Sequence, residues 1–188
     1  EIAAAFTLSL LSSLVFALLL AACAGPIETF FQMDGLAPII LSMTPSVFLM
    51  TMAAVPESLL MRRLEFRAVT LTDLAAYGIG YGIVGLILAL NGAGVWALVV
   101  GFVTQDLVRA VAMFALRSPP RRLFIDWAMF KTFMAFGGGI MLGSICNQFA
   151  QQIDRIVAGR YLGAADLGFY SRSYQLLVLP ASLFGKVV

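Results

Sequence analysis

Leu74–Gln105, LAAYGIGYGIVGLILALNGAGVWALVVGFVTQ, contains no Lys, Arg, Asp, Glu or His. Near its middle stands Asn91-Gly92-Ala93-Gly94, residue types that favour a tight turn. The apolar run on each side is about one bilayer thickness, roughly 20 residues. The stretch therefore predicts two membrane-crossing helices, about Leu71 to Leu90 and Val95 to Leu116, joined by a very short loop. Arg62, Arg63 and Arg67 precede it; Arg117, Arg121 and Arg122 follow it. Basic residues collect on the cytoplasmic side of membrane proteins, so both outer ends are predicted inside and the Asn-Gly tip outside.

Composition extends this reading to the whole chain. It is 61% hydrophobic and 12% charged, against about 25% charge in a soluble domain, and its mean hydropathy is +0.97. The predicted fold class is all-α, a polytopic transmembrane helix bundle. The net charge of +2 gives no reason to expect nucleic acid. Histidine is absent, which removes the commonest metal ligand and acid–base group; no catalytic residue, metal or cofactor is expected. Cys23 and Cys146 lie in apolar runs and read as small buried hydrophobes rather than a disulfide. The first apolar segment has no basic n-region and no cleavage site, so it is expected to be a membrane span rather than a signal peptide. The sequence reads as an internal fragment of a longer protein.

In chain order, the first span is about Ala4 to Ala24, and Gly25-Pro26 is expected to end it, because proline cannot continue the hydrogen-bond ladder. The following segment, Ile27 to Ala37, carries Glu28 and Asp34 and is expected outside. Leu36 to Met61 is the second span. Pro38 suits its first turn, whereas Pro45 and Pro56 are expected to kink or end it. Glu57, Arg62, Arg63, Glu65 and Arg67 then read as a mixed-charge cytoplasmic stretch. In the third span Gly80-x-Gly82-x-x-Gly85 spells a dinucleotide fingerprint, but no strand precedes it, so Gly78-x-x-x-Gly82 is read as a close-packing helix face.

The fourth span places Trp96 at the outer interface and Gln105, Asp106 and Arg109 in its inner half. Asp106 and Arg109, three residues apart, share a helix face. They read as an ion pair packed between helices, as Arg109 snorkelling to the inner surface, or as a pair lining a polar cavity. Beyond Arg117-Ser118-Pro119-Pro120, Leu123, Phe124, Trp127 and Phe130 alternate with Arg121, Arg122, Asp126 and Lys131, the pattern of an amphipathic helix in the inner interface. Thr132 to Ile153 is the fifth span. Gly137, Gly138, Gly139 and Gly143 make its inner half thin. Its outer half is polar, with Asn147, Gln148, Gln151 and Gln152 followed by Asp154 and Arg155. Such a row does not face lipid; it serves helix–helix hydrogen bonding or a wet central cavity. Asp154 to Arg172 is expected outside, although it carries Arg155, Arg160 and Arg172, whose planar forks suit phosphate oxygens; Asp154 and Asp166 neutralising them is the plainer alternative. Gly159, Gly163 and Gly168 bracket a tight connection, and Tyr174 begins a sixth span.

Three stretches carry a resemblance. They are Pro56-x-x-Leu59-Leu60-x-x-Arg63-Leu64-x-Phe66; Gly92-x-Gly94-Val95-Trp96-Ala97-Leu98; and Phe136-Gly137 through Asn147 to Asp154-Arg155-Ile156-Val157-x-Gly159-Arg160-x-Leu162-Gly163, Leu167-Gly168-x-Tyr170-Ser171-Arg172 and Leu179-Pro180. On these the chain resembles the polysaccharide-exporter branch of the multidrug/oligosaccharidyl-lipid/polysaccharide (MOP) flippase superfamily, the Wzx-type translocases. The resemblance implies two lobes of six or more helices. Residues 1–116 would be helices three to six of the first lobe, 117–131 the cytoplasmic interlobe linker, and 132–188 helix seven and part of helix eight. It implies a multi-pass protein of the bacterial plasma (inner) membrane that is not an enzyme. Its implied task is to flip polyprenyl-pyrophosphate-linked oligosaccharide units for lipopolysaccharide or exopolysaccharide synthesis by alternating access. Membrane lipid and polysaccharide assembly proteins are the other expected partners. Asn147, Gln148, Gln151, Gln152, Asp154, Arg155 and Arg160 are the candidate cavity residues, with Asp106 and Arg109 second. Three other readings compete: a membrane-embedded polymerase or glycosyltransferase, a MOP-type exporter of a peptidoglycan precursor or drug, and a structural membrane partner.

Overall fold

The computed structural model describes residues 2–117 and 127–185. Helices α1 (Ile2–Phe31), α2 (Leu36–Arg62), α3 (Phe66–Tyr77), α4 (Leu86–Leu90), α5 (Val95–Leu116) and α6 (Trp127–Gly185) follow one another, and a π-helical segment, Gly78–Gly85, joins α3 to α4. No strand occurs among the described residues. Four helices there are long and apolar enough to cross a membrane: Phe6–Phe31, Leu36–Arg62, Phe66–Leu90 and Val95–Leu116. The expected interfacial helix falls largely outside the described residues. The chain divides into two compact units, Glu1–Ala24 with Ala37–Thr132, and Gly25–Leu36 with Phe133–Val188.

In the first unit the interior is built of small and medium side chains. Ala53, Leu60, Val69, Ala110 and Met113 form the core, with Leu49 against it. Large apolar residues such as Leu18, Leu86, Leu90 and Leu98 point outward. That inversion suits a lipid solvent, where helices associate by close van der Waals fit rather than by escape from water. The same physics corrects one expectation. Cys23 and Cys146 are unpaired, as predicted, but exposed rather than buried. In a membrane chain an apolar run faces lipid as readily as protein.

The hairpin turn follows from its sequence. Gly92 takes φ 78°. The Gly92 N–H donates to the Ala89 carbonyl at 3.0 Å and the Ala93 N–H to the Leu88 carbonyl at 3.0 Å. These two bonds are the Schellman pair that closes a helix C-terminus on a left-handed glycine. Asn91 Nδ2 adds a bond to the Ile87 carbonyl at 2.7 Å.

The prolines break less than expected. α1 does not end at Gly25-Pro26 but continues to Phe31 with Pro26 inside it, and α2 runs unbroken through Pro45 and Pro56. Each internal proline removes one ladder bond and crowds one carbonyl. Apolar surroundings penalise every further unpaired backbone group, so the remaining ladder holds. The division between the two units nevertheless falls at Ala24/Gly25.

The expected glycine face is also displaced. A Cβ built on Gly78 or Gly82 meets nothing within 4 Å, whereas one on Gly80 lies 2.6 Å from the Gly101 carbonyl oxygen and 2.6 Å from Gln105 Cβ. Gly85 and Gly101 share the contact, since a Cβ on Gly101 lies 3.2 Å from the Gly80 oxygen and 3.4 Å from Gly85 Cα. A spacing of four marks one face of an α-helix, but π winding brings residues five apart onto one face. Gly80 and Gly85 therefore meet Gly101, and Gly78 and Gly82 do not.

In the second unit α6 is broken at one residue. Gly163 takes φ 84°, ψ 177°, a region open essentially to glycine alone. The expected loop with three glycines reduces to this single break. Gly159 serves packing instead, because a Cβ there lies 3.0 Å from the Phe31 ring. Sixteen residues of unbroken helix would hold Asp154 and Tyr170 roughly 24 Å apart, yet the Tyr170 hydroxyl donates to Asp154 Oδ2 at 2.7 Å. The chain on either side of Gly163 therefore doubles back within this unit. Gly163→Ala is expected to cost about 1–3 kcal/mol, read as a lower unfolding temperature of the full protein than for Gly168→Ala, where a Cβ meets open space. Equal unfolding temperatures would show that the break does not depend on glycine.

Candidate functional site

Two polar constellations stand out in the apolar chain, one in each unit. The first lies in the predicted inner half of the first unit. Thr70, Asp73, Leu74 and Tyr77 lie on one face of α3, spaced by three, four and seven residues. Phe102, Gln105, Asp106 and Arg109 have the same spacing on α5. With Met50 of α2 these two faces line a groove of ≈ 490 Å³. Arg109 is the tie at its base. Its Nε donates to Asp73 Oδ1 at 2.7 Å, and Nη2 donates to Glu57 Oε2 at 3.1 Å, joining α2, α3 and α5.

Among the described residues the salt bridges of Arg109 go to Asp73 and Glu57 rather than to Asp106, and Asp73, Asp106 and Arg109 all line the groove. Three residues along a helix bring two side chains to one face but do not make them point at each other, and the forked guanidinium is taken by carboxylates from two other helices. Asp106 is only 4% exposed. Ser46 of α2 lies beside it, yet Asp106 Oδ2, Ser46 Oγ and the neighbouring Gln105 Oε1 are buried with no hydrogen-bond partner among the described residues. A buried acceptor left unpaired costs about 1–3 kcal/mol. Glu57 and Asp73 were not legible as site residues. Glu57 reads as part of the charged stretch ahead of the hairpin, and Asp73 stands at the last position before the charge-free run. The available signal was the spacing of Asp73 and Tyr77 on one helix face.

The second constellation is the predicted outer end of α6, where the first seven candidates lie. Gln151 Nε2 donates to Asn147 Oδ1 at 3.0 Å, the spacing of four expected for one helix face. Arg155 Nη1 donates to Gln152 Oε1 at 3.0 Å. Gln148 is exposed on the same stretch. Asp154 accepts the Tyr170 hydroxyl, which holds its carboxyl below the usual carboxylate range and raises the Tyr170 phenol. The arginines are held by amides and aromatic faces rather than by carboxylates. Arg155 lies 5.3 Å from the Tyr174 ring centroid, and Arg160 lies 5.8 Å from that of Phe30 and 5.9 Å from that of Tyr161. Arg172 donates to Gln175 at 3.2 Å. Among the described residues no salt bridge joins Asp154 or Asp166 to these arginines, although the charge of Arg155 helps to lower the Asp154 carboxyl. Arg155 Nε is buried without a partner among them.

The chain is 28% identical over 175 residues to the succinoglycan biosynthesis transport protein ExoT of Rhizobium meliloti (strain 1021), covering 93% of the chain and 35% of that protein. It is 20% identical over 191 residues to the teichuronic acid biosynthesis protein TuaB of Bacillus subtilis (strain 168), covering 100% and 39%. It is 21% identical over 185 residues to the amylovoran biosynthesis protein AmsL of Erwinia amylovora, covering 97% and 48%. The chain thus spans between about a third and a half of these relatives. No solved structure matches it. A protein-family model described as "Polysaccharide biosynthesis protein" matches residues 1–188. With that match over its whole length, and with the membrane helices described above, the chain belongs to the polysaccharide biosynthesis protein family, as the resemblance of its motifs implied.

Proposed function

We propose that this chain is part of a translocase that moves polyprenyl-pyrophosphate-linked oligosaccharide units from the inner to the outer leaflet of a bacterial plasma membrane by alternating access, without making or breaking a bond in them. On this reading residues 1–116 belong to a first lobe and 132–188 open a second. The observation that carries it is the outer end of α6. There a row of amides leads to one carboxylate and to arginines whose guanidinium groups are steadied by rings and amides and, among the described residues, form no salt bridge to a carboxylate. A pyrophosphate–sugar head group cannot enter hydrocarbon unaided, because the loss of hydration is too costly. Guanidinium forks replace water around phosphate oxygens, and Asn147, Gln148, Gln151, Gln152 and Asp154 offer donors and acceptors to sugar hydroxyls. Asp106 and Arg109 are the corresponding polar groups of the first unit. The naming of one relative as a transport protein supports transport over polymerisation.

In the full protein, Arg160→Ala and Asp154→Ala are each expected to lower polymer export at least about tenfold, the effect of losing one charge-assisted hydrogen bond, with protein abundance unchanged. Export assayed in a strain lacking the wild-type copy, beside immunoblots of the membrane fraction, reads both quantities. Normal export from both variants would remove this site assignment.

A further inference from the structure

The motif from Pro56 to Phe66 takes no part in the transport scheme above, and its second half forms the turn between α2 and α3. The turn is pinned from within. Leu60 and Val69, on either side of it, belong to one core cluster with Met113 of α5. Everything from Met61 to Arg67 is exposed. Leu64 is 74% exposed and Phe66 54%, and Arg62, Arg63 and Arg67 stand among them. Arg117, whose N–H donates to the Met113 carbonyl at 2.9 Å, closes α5 at the same end of the unit.

The turn's arginines lack counter-charges. Glu57 and Asp73, which flank the turn along the chain, are taken by Arg109. Glu65 is left facing three arginines, and among the described residues no salt bridge reaches Arg62, Arg63 or Arg67. Leu64 is held at φ 59°. Its N–H donates to the Met61 carbonyl at 3.0 Å and the Glu65 N–H to the Leu60 carbonyl at 3.1 Å, a Schellman closure in which glycine is the usual left-handed residue. A leucine there is strained, and with most of its surface open it gains little from the chain in return.

We infer that this turn binds the head group of an anionic phospholipid in the leaflet it faces, with the arginines on the phosphodiester and Leu64 and Phe66 seated among the first acyl carbons. α2 is 27 residues long, about 40 Å at helical rise, against a hydrocarbon layer of roughly 30 Å, so its end reaches the head-group layer. A surface that alternates guanidinium groups with large apolar side chains matches the boundary between phosphates and acyl chains, and a planar guanidinium engages two oxygens of one phosphate. An acidic protein segment would satisfy the arginines but offers nothing to Leu64 and Phe66. The inference needs only a membrane-embedded chain and stands apart from the translocase reading.

The test titrates the full-length protein in a neutral detergent with palmitoyl-oleoyl phosphatidylglycerol and, separately, with the phosphatidylcholine of the same chains, and reads bound lipid by native mass spectrometry. The wild type is expected to bind the phosphatidylglycerol at least about tenfold more tightly. Arg62→Gln, Arg63→Gln and Arg67→Gln are each expected to weaken that binding by up to about fivefold, the worth of one basic side chain at an anionic surface, and the triple variant to lose the preference. Leu64→Gly separates the backbone of that residue from its side chain. Without lipid its unfolding temperature is expected to equal or exceed that of the wild type, because glycine relieves the left-handed strain, while its affinity for phosphatidylglycerol falls. The substituted side chains are all exposed, and the unfolding temperature without lipid checks the fold of each variant. Equal affinity of the wild type for the two lipids would overturn the inference. So would a triple variant that keeps the preference, or displacement of the phosphatidylglycerol by excess inorganic phosphate, which would mark a site for free phosphate. A turn that binds a polyglutamate peptide through the same arginines and ignores the lipid would belong to an acidic protein partner instead.

Discussion

Gly80→Ala is expected to lower the stability of the full protein by about 3 kcal/mol, the upper end for overpacking of a close contact. The added methyl would sit 2.6 Å from the Gly101 carbonyl oxygen and 2.8 Å from Gln105 Cα, so relief has to come from the backbone of α5 rather than from a flexible side chain. The helices can separate only by giving up the contact of Gly80 and Gly85 with Gly101. Gly82→Ala is the internal control. Its methyl meets nothing within 4 Å, and replacing a helical glycine by alanine favours the helix by roughly 0.5–1 kcal/mol. Thermal or SDS unfolding of the two purified variants should move in opposite directions. Similar shifts for both would show that the π-helical segment does not set this packing.

Arg109→Met is the second large effect. It removes the only positive charge of the Glu57–Arg109–Asp73 tie and leaves two partly buried carboxylates facing each other across three helices. Breaking a buried pair costs about 3–5 kcal/mol and an exposed one about 0–1; with Arg109 and Glu57 each 22% exposed, an intermediate loss of about 2–3 kcal/mol is expected. The triple variant Glu57→Gln, Asp73→Asn, Arg109→Met should recover most of it, because what destabilises the single variant is uncompensated charge. Failure of the triple variant to recover would mean that the guanidinium contributes through packing instead.

How much was legible before the structure can be judged residue by residue. The fourth span, Val95 to Leu116, and the turn at Asn91-Gly92 were readable because apolar length and a left-handed glycine are local properties of the chain. The end of α1 was misread, because a proline is local evidence for a lost bond but says nothing of how strongly a membrane favours the bonds that remain. The partners of Arg109 were hidden for a different reason. Asp73 lies 36 residues away and Glu57 52 residues away, and one sequence offers no rule for pairing them. At the outer end of α6 the amide row was legible from spacing, whereas the reach of Tyr170 to Asp154 depends on the single φ/ψ choice at Gly163.

The winding of Gly78–Gly85 has one more consequence. A π-helical stretch accommodates an extra residue relative to an α-helix with the same number of turns, and each residue turns an α-helix by about 100°. Shortening this stretch by one residue would leave length and hydropathy almost untouched and would still allow a membrane crossing. With the number of turns kept, the shortened stretch would wind as an α-helix and leave Asp73 near its present angle about the axis, and the change would fall on the contact of Gly80 and Gly85 with Gly101 instead. A lone deletion there would loosen the glycine seam while leaving the polar inner end tied to α5.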